Sequence, residues 1–71
     1  MSNQFNIPTY EELIGLSNGE LMKRIREIEH AINAASSRGE STARGMYVHK
    51  VYDEEQVKRL ALARKTNNLK H

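Results

Sequence analysis

Cysteine and tryptophan are absent from this chain, proline and phenylalanine each occur once, and tyrosine occurs three times. Without cysteine there is no disulfide framework and no thiolate metal site. With so few aromatics, a chain of 71 residues has little material for a large core, and a single domain of this size buries only a modest share of its surface. Self-association or a partner is therefore expected to supplement the fold. No apolar run approaches the roughly 18 residues of a membrane span. No basic segment followed by a hydrophobic stretch marks a leader at the N-terminus. A cytoplasmic protein without membrane contact is the expectation. A strong charge of one sign is missing too: 11 Lys+Arg against 9 Asp+Glu leave +2, too little alone to specify nucleic acid. The charge is unevenly placed, however. Residues 1–37 hold three Lys/Arg and five Asp/Glu, residues 38–71 hold eight and four, so the second half carries an excess of four positive charges.

The one sustained hydrophobic period lies in SNGELMKRIREIEHAINAA, Ser17 to Ala35. Leu21, Ile25, Ile28, Ile32 and Ala35 recur at steps of four and three, the narrow stripe by which one helix packs on another. Ser17 with Glu20 forms a capping box, and Leu16 stands where it can staple onto Leu21. Ser36, Ser37, Arg38 and Gly39 offer poor helix formers and a glycine suited to the left-handed position, so this helix is expected to end there. Upstream, Thr9 and Glu12 make a second capping box after Pro8, predicting a short helix over Tyr10–Ile14 closed by Gly15. Residues 1–8 read as a flexible lead-in anchored only by Phe5 and Ile7.

Ser36 to Gly45 reads as a mobile connector of small polar residues. Met46 to Tyr52, MYVHKVY, mixes β-branched and aromatic residues and reads as extended, either as a short strand or as a segment lying over the helices. Asp53 with Gln56 offers a third capping box, predicting a helix from Glu54 to about Lys65 whose apolar face is Val57, Leu60 and Ala61, edged by Arg64. Thr66 to Asn68 are expected to end it, with 67–71 as a tail. The predicted fold is mainly α: a short helix, a long helix, a loop with a short extended segment, and a second helix folded back antiparallel, within one domain over 9–66.

Chemistry is hard to find. Glu27 and His30 have the spacing of a bundle metal ligand pair, but no second pair accompanies them, and Lys23 can pair with Glu27 along the helix. Ser36, Ser37, Ser41 and Thr42, with His49 and Asp53, supply the residue types of nucleophilic catalysis without its spacing. Gly39 and Gly45 lack the strand, lysine and helix order of a phosphate loop. No enzyme activity, cofactor, metal or small-molecule substrate is predicted.

Three resemblances can be stated. RGMYVHKVYDEEQVKRLALAR, Arg44 to Arg64, looks like the wing and following helix of MerR-type regulators. The same stretch after a long helix is similar in plan to small phage head-completion proteins of helix, hairpin, helix order. The LSNGEL opening and the two-helix plan resemble the small helical-hairpin protein of the large ribosomal subunit. They point in different directions, and no functional residue is carried over from any of them.

The functional expectation is a non-catalytic binding protein, an adaptor, inhibitor or assembly component, that presents its helical surface to a larger protein or to another copy of itself through Leu21, Ile25, Ile28 and Ile32. The alternative is a small basic regulator that contacts nucleic acid through Arg38, Arg44, Lys50, Lys58, Arg59 and Lys65, with Tyr47 available to stack.

Overall fold

The computed structural model of the protein describes residues 5–69, which form three helices, α1 (Tyr10–Ile14), α2 (Asn18–Ser37) and α3 (Ala43–Leu69). Among the described residues there is no strand. The molecule is a helical hairpin, α2 against α3, with the N-terminal segment laid along one side, and its long dimension is 51 Å against 22 and 17 Å.

Both N-terminal signals of the first half are used. Thr9 and Ser17 accept from the amides of Glu12 and Glu20 at 3.1 Å, and those two carboxylates accept in return from the amides of Thr9 and Ser17 at 2.9 Å. The hydrogen bonds hold both glutamates below their ordinary pKa. At its other end α2 closes in a Schellman arrangement. Glu40 donates to the Ala35 carbonyl at 2.9 Å and Gly39 to the Ser36 carbonyl at 3.0 Å, with Gly39 at φ +73°. A side chain at Gly39 would be strained by that dihedral alone.

The second half departs from the sequence-based expectation. The connector shortens to residues 38–42, and α3 begins at Ala43, where Ser41 Oγ accepts from the Ala43 amide at 3.4 Å and the Thr42 carbonyl accepts from Met46 at 2.9 Å. Met46–Tyr52 is helix, not an extended segment, and Asp53 lies inside α3 instead of starting a helix. The reason is the tertiary register. Gly45, Val48, Tyr52, Glu55 and Arg59 step three, four, three and four along the chain and all face α2 or its N-terminus, which only a continuous helix allows. The β-propensity of Met46–Tyr52 is a weak preference that this packing overrides. Asp53 and Glu54 are exposed, so as helical residues they leave no buried polar group unpaired. Thr66–Asn68 do not end α3, which continues to Leu69; of the predicted tail, residues 70 and 71 lie outside the described residues, as do residues 1–4 of the lead-in.

The core is small. Leu21, Ile25 and Ile28 of α2 meet Val48 and Tyr52 of α3, with Phe5, Leu13, Leu16 and Ile32 packed around them. Val57 and Leu60, expected to form the apolar face of the second helix, are more than half exposed. Near the connector the helices approach closely. Gly45 is buried there, and a Cβ on it would lie 2.8 Å from the Phe5 ring and 2.9 Å from Ile32.

The N-terminal segment is fastened by two arginines of α3. Arg44 donates to the Phe5 carbonyl at 2.7 Å. Arg59 donates to Glu55 at 2.7 Å, to Asn18 Oδ1 at 2.9 Å and to the Leu13 carbonyl at 3.2 Å, joining all three helices at the base of the hairpin. Glu55 is the one charged residue buried among those described, at 7% exposure. Pairing with Arg59 offsets its desolvation, and Arg59 in turn satisfies a backbone carbonyl.

Candidate interaction surfaces

The four residues expected to make the partner contact do not line an open face. Leu21 is 1% exposed, Ile25 and Ile28 are buried and Ile32 is half-buried, all engaged by α3 and by the N-terminal segment. Their heptad spacing is that of the hairpin's own seam; Leu21 and Ile32 border open clefts, whereas Ile25 and Ile28 line neither.

What the fold leaves exposed is different apolar surface. The N-terminal segment covers one side of the hairpin, where Asn6 and Pro8 lie near Arg24 and Tyr52. The other side is open and carries two clefts. One, of about 280 Å³, lies between Met22 and Leu60, with Leu21 at its floor and Asn18 and Gln56 at its rim. The second, of about 430 Å³, lies between Asn33 and Met46, where His49 Nε2 is 3.0 Å from Glu29 Oε2. By helical register Met22, Glu29 and Asn33 share one flank of α2, and Met46, His49, Gln56 and Leu60 share the facing flank of α3. Met22 is 45% exposed, Leu60 56% and Met46 60%. This flank is a shallow trough with polar sides and three large apolar residues, and none of the three stood among the predicted contact residues. Their signal was present in the sequence, but it could be assigned to a surface only after the seam of α3 was known.

The length of α3 creates the second surface. Arg59 reaches Asn18, the first residue of α2. Leu60 and Ala63 still line a cleft with Asn18 and Met22, so it is residues 64–69 that continue past the start of α2, by about 9 Å at 1.5 Å per residue. Residues 60–65 are all exposed. No acidic residue follows Glu55 in the sequence, whereas Lys58, Arg59, Arg64, Lys65 and Lys70 do follow it.

The residues of the nucleic-acid alternative are divided by the fold. Arg59 is engaged with Glu55, Asn18 and Leu13 and is largely withdrawn from solvent. Arg38 sits in the connector in a bidentate pair with Glu40, at 2.9 and 3.0 Å, which lowers the Glu40 pKa and raises that of Arg38 through the hydrogen bonds and the paired charge. Arg44 pins Phe5. Tyr47, Lys50, Lys58 and Lys65, by contrast, are exposed and fall on one line along α3, because steps of three, eight and seven residues return to nearly the same side of a helix. Arg44 to Arg64 is thus continuous helix, with neither the extended wing of a MerR-type regulator nor the hairpin of a head-completion protein.

Among the described residues no group of three or more His, Cys, Asp or Glu is placed to hold a metal ion. The His–carboxylate contact that forms is His49 with Glu29 across the hairpin, and His49 thereby faces a carboxylate and not a serine. No helix among the described residues is long and apolar enough to cross a membrane. Comparison with known protein families, with curated proteins and with solved structures finds no match for this chain.

Proposed function

We propose that this is a non-catalytic helical binding protein, an adaptor, inhibitor or assembly component that acts by contact of its helical surface with a larger protein or with another copy of itself. The observation that supports the reading is the open trough of the hairpin. Met22, Met46 and Leu60 stand exposed along one flank of a molecule with six buried apolar residues among those described. Large apolar side chains grouped beside shallow clefts and rimmed by Asn18, Gln56, Asn33 and Glu29 have the composition of a contact surface, with an apolar centre and a polar edge. The contact residues in this reading are Met22, Met46 and Leu60, in place of Leu21, Ile25, Ile28 and Ile32, which hold the hairpin shut.

The test replaces Met22 and Leu60 by glutamate. Both are exposed, so far-UV circular dichroism and the unfolding midpoint are expected to stay near the parent values. Sedimentation mass and the set of co-purifying proteins are expected to lose whatever the parent chain binds. A doubly substituted protein that folds and keeps the parent's mass and partners would overturn the proposal. Association that survives here and disappears with Ile28→Asp would instead mean that the hairpin opens to bind.

A further inference from the structure

The outer edge of α3, next to the trough flank, has a different character. Lys50, Lys58 and Lys65 are exposed along one line, Tyr47 stands at its connector end at 54% exposure, and Arg64 flanks it on the projecting end. None of these four cations belongs to an ion pair among the described residues, where the pairs are Arg38 with Glu40, His49 with Glu29 and Arg59 with Glu55. The line from Tyr47 to Lys65 is about 27 Å long at 1.5 Å per residue. Glu54 interrupts it, and no acidic residue follows Glu55. Beyond Ala63, which still lines a cleft with Asn18 and Met22, the last part of α3 runs past the start of α2.

We infer that this edge of α3 is a binding surface for duplex DNA, in which the projecting end enters the major groove and Lys50, Lys58, Arg64 and Lys65 neutralise phosphates on either side of it. Charge selects the ligand class, since four unpaired cations on one helix edge meet a phosphate backbone. Shape selects the duplex form. A helix with its side chains is about 10–12 Å across, the major groove of B-form DNA is about 12 Å wide, and the major groove of an RNA duplex is too narrow to admit it. The projection of about 9 Å past Ala63 allows the approach, because the major groove is about 8.5 Å deep. Ala61 keeps the helix slim between its cations. Contacts of this kind fix position without reading sequence, so binding is expected to be independent of sequence. The inference goes beyond the protein-contact reading and uses a neighbouring edge of α3; Lys58 and Lys65 lie outside the trough, so their variants and the Met22→Glu, Leu60→Glu pair distinguish the two readings.

The experiment is a fluorescence anisotropy titration of a labelled 20-base-pair DNA duplex with the full chain, between about 25 and 200 mM salt. Four phosphate contacts predict a slope of about −3.6 in log affinity against log salt. Lys58→Glu with Lys65→Glu should weaken binding at least tenfold with helical content unchanged, and Lys58→Gln with Lys65→Gln should flatten the slope by about two units. Glu54→Gln should tighten binding. Arg38→Ala should leave it unaltered, because that guanidinium is paired with Glu40 away from the edge, and Met22→Glu with Leu60→Glu should leave most of it. Absence of binding at 25 mM salt overturns the inference. So does a loss on Arg38→Ala as large as that of the lysine pair, which would place the contact on the connector. Equal affinity for an RNA duplex of the same length would overturn the groove and leave only general attraction to polyanions.

Discussion

Between Gly45 and Arg59, α3 lies against α2 and presents glycine, valine, tyrosine, glutamate and arginine in turn at the contact; Leu60 and Ala63 only edge a cleft with Asn18 and Met22, and from Arg64 onward the same helix runs past the start of α2. The packed stretch holds Met46, Tyr47, Val48, Val51, Tyr52 and Val57, yet Met46, Tyr47 and Val57 are more than half exposed. Leu60 and Leu62 that follow are exposed too, as are all of residues 60–65. Hydrophobicity along α3 is thus a poor guide to burial. Burial follows the seven-residue spacing that matches the seam of α2, and at that spacing even a glutamate goes inside if an arginine one turn away meets it.

The contrast is broken most severely at the buried ion pair. Glu55→Ala leaves Arg59 without its carboxylate at the junction of three helices, and a loss of about 3 kcal/mol is expected in urea unfolding, whereas Glu54→Ala, one residue away and exposed, should change stability by less than about 0.5 kcal/mol. Gly45→Val comes next. Alanine or valine is a better helix former than glycine by up to about 1 kcal/mol, yet the Cβ would meet Phe5 and Ile32, so a net loss of about 2 kcal/mol is expected. In a Phe5→Ala background the same substitution should cost measurably less, which a double-mutant cycle would read. In the connector, Gly39→Ala should cost about 1 kcal/mol through the left-handed dihedral. Leu60→Ser, at the side of the cleft, should fall within about 0.5 kcal/mol of the parent despite removing a large apolar side chain. Hydrogen exchange should show the same division, with amides of Val48–Glu55 protected and those after Ala61 exchanging early.

The smallest expected effects are in pH dependence. Glu12 and Glu20 titrate below the ordinary 4.5 because their capping hydrogen bonds favour the carboxylate. Their contribution is fully present above pH 4.5 and is lost as pH falls through the lowered native values. Glu20→Gln keeps an acceptor for the Ser17 amide and should flatten the acid limb of the stability profile. Tyr52 shifts the other way: burial raises its pKa above 10.0, so its contribution is fully present below that pH and is lost as pH rises through the native value. Tyr52→Phe should remove that alkaline limb.

The first half of the molecule was legible in the sequence because its signals are local. The capping boxes at Thr9 and Ser17, the seam from Leu21 to Ala35 and the left-handed Gly39 are satisfied by partners within a few residues, and each appears in the structure where the sequence places it. Expecting that seam to face a partner was a different step, since a stripe of isoleucines states only that something covers it, and here the cover is α3. The second half could not be read in the same way. Val48 and Tyr52 look like a strand beside their neighbours and become a seam only when α2 supplies the opposing surface. Gly45, Glu55 and Arg59 occupy seam positions for reasons of close approach and charge pairing that no hydrophobic period records. Which face of α3 is left for partners depends on that register, and on the one-sided cover that the Phe5 and Leu13 carbonyls give by accepting from Arg44 and Arg59. Composition and local spacing determined that this chain would be helical and thinly cored; contacts between residues 20 to 46 positions apart decided where its core and its open surface lie.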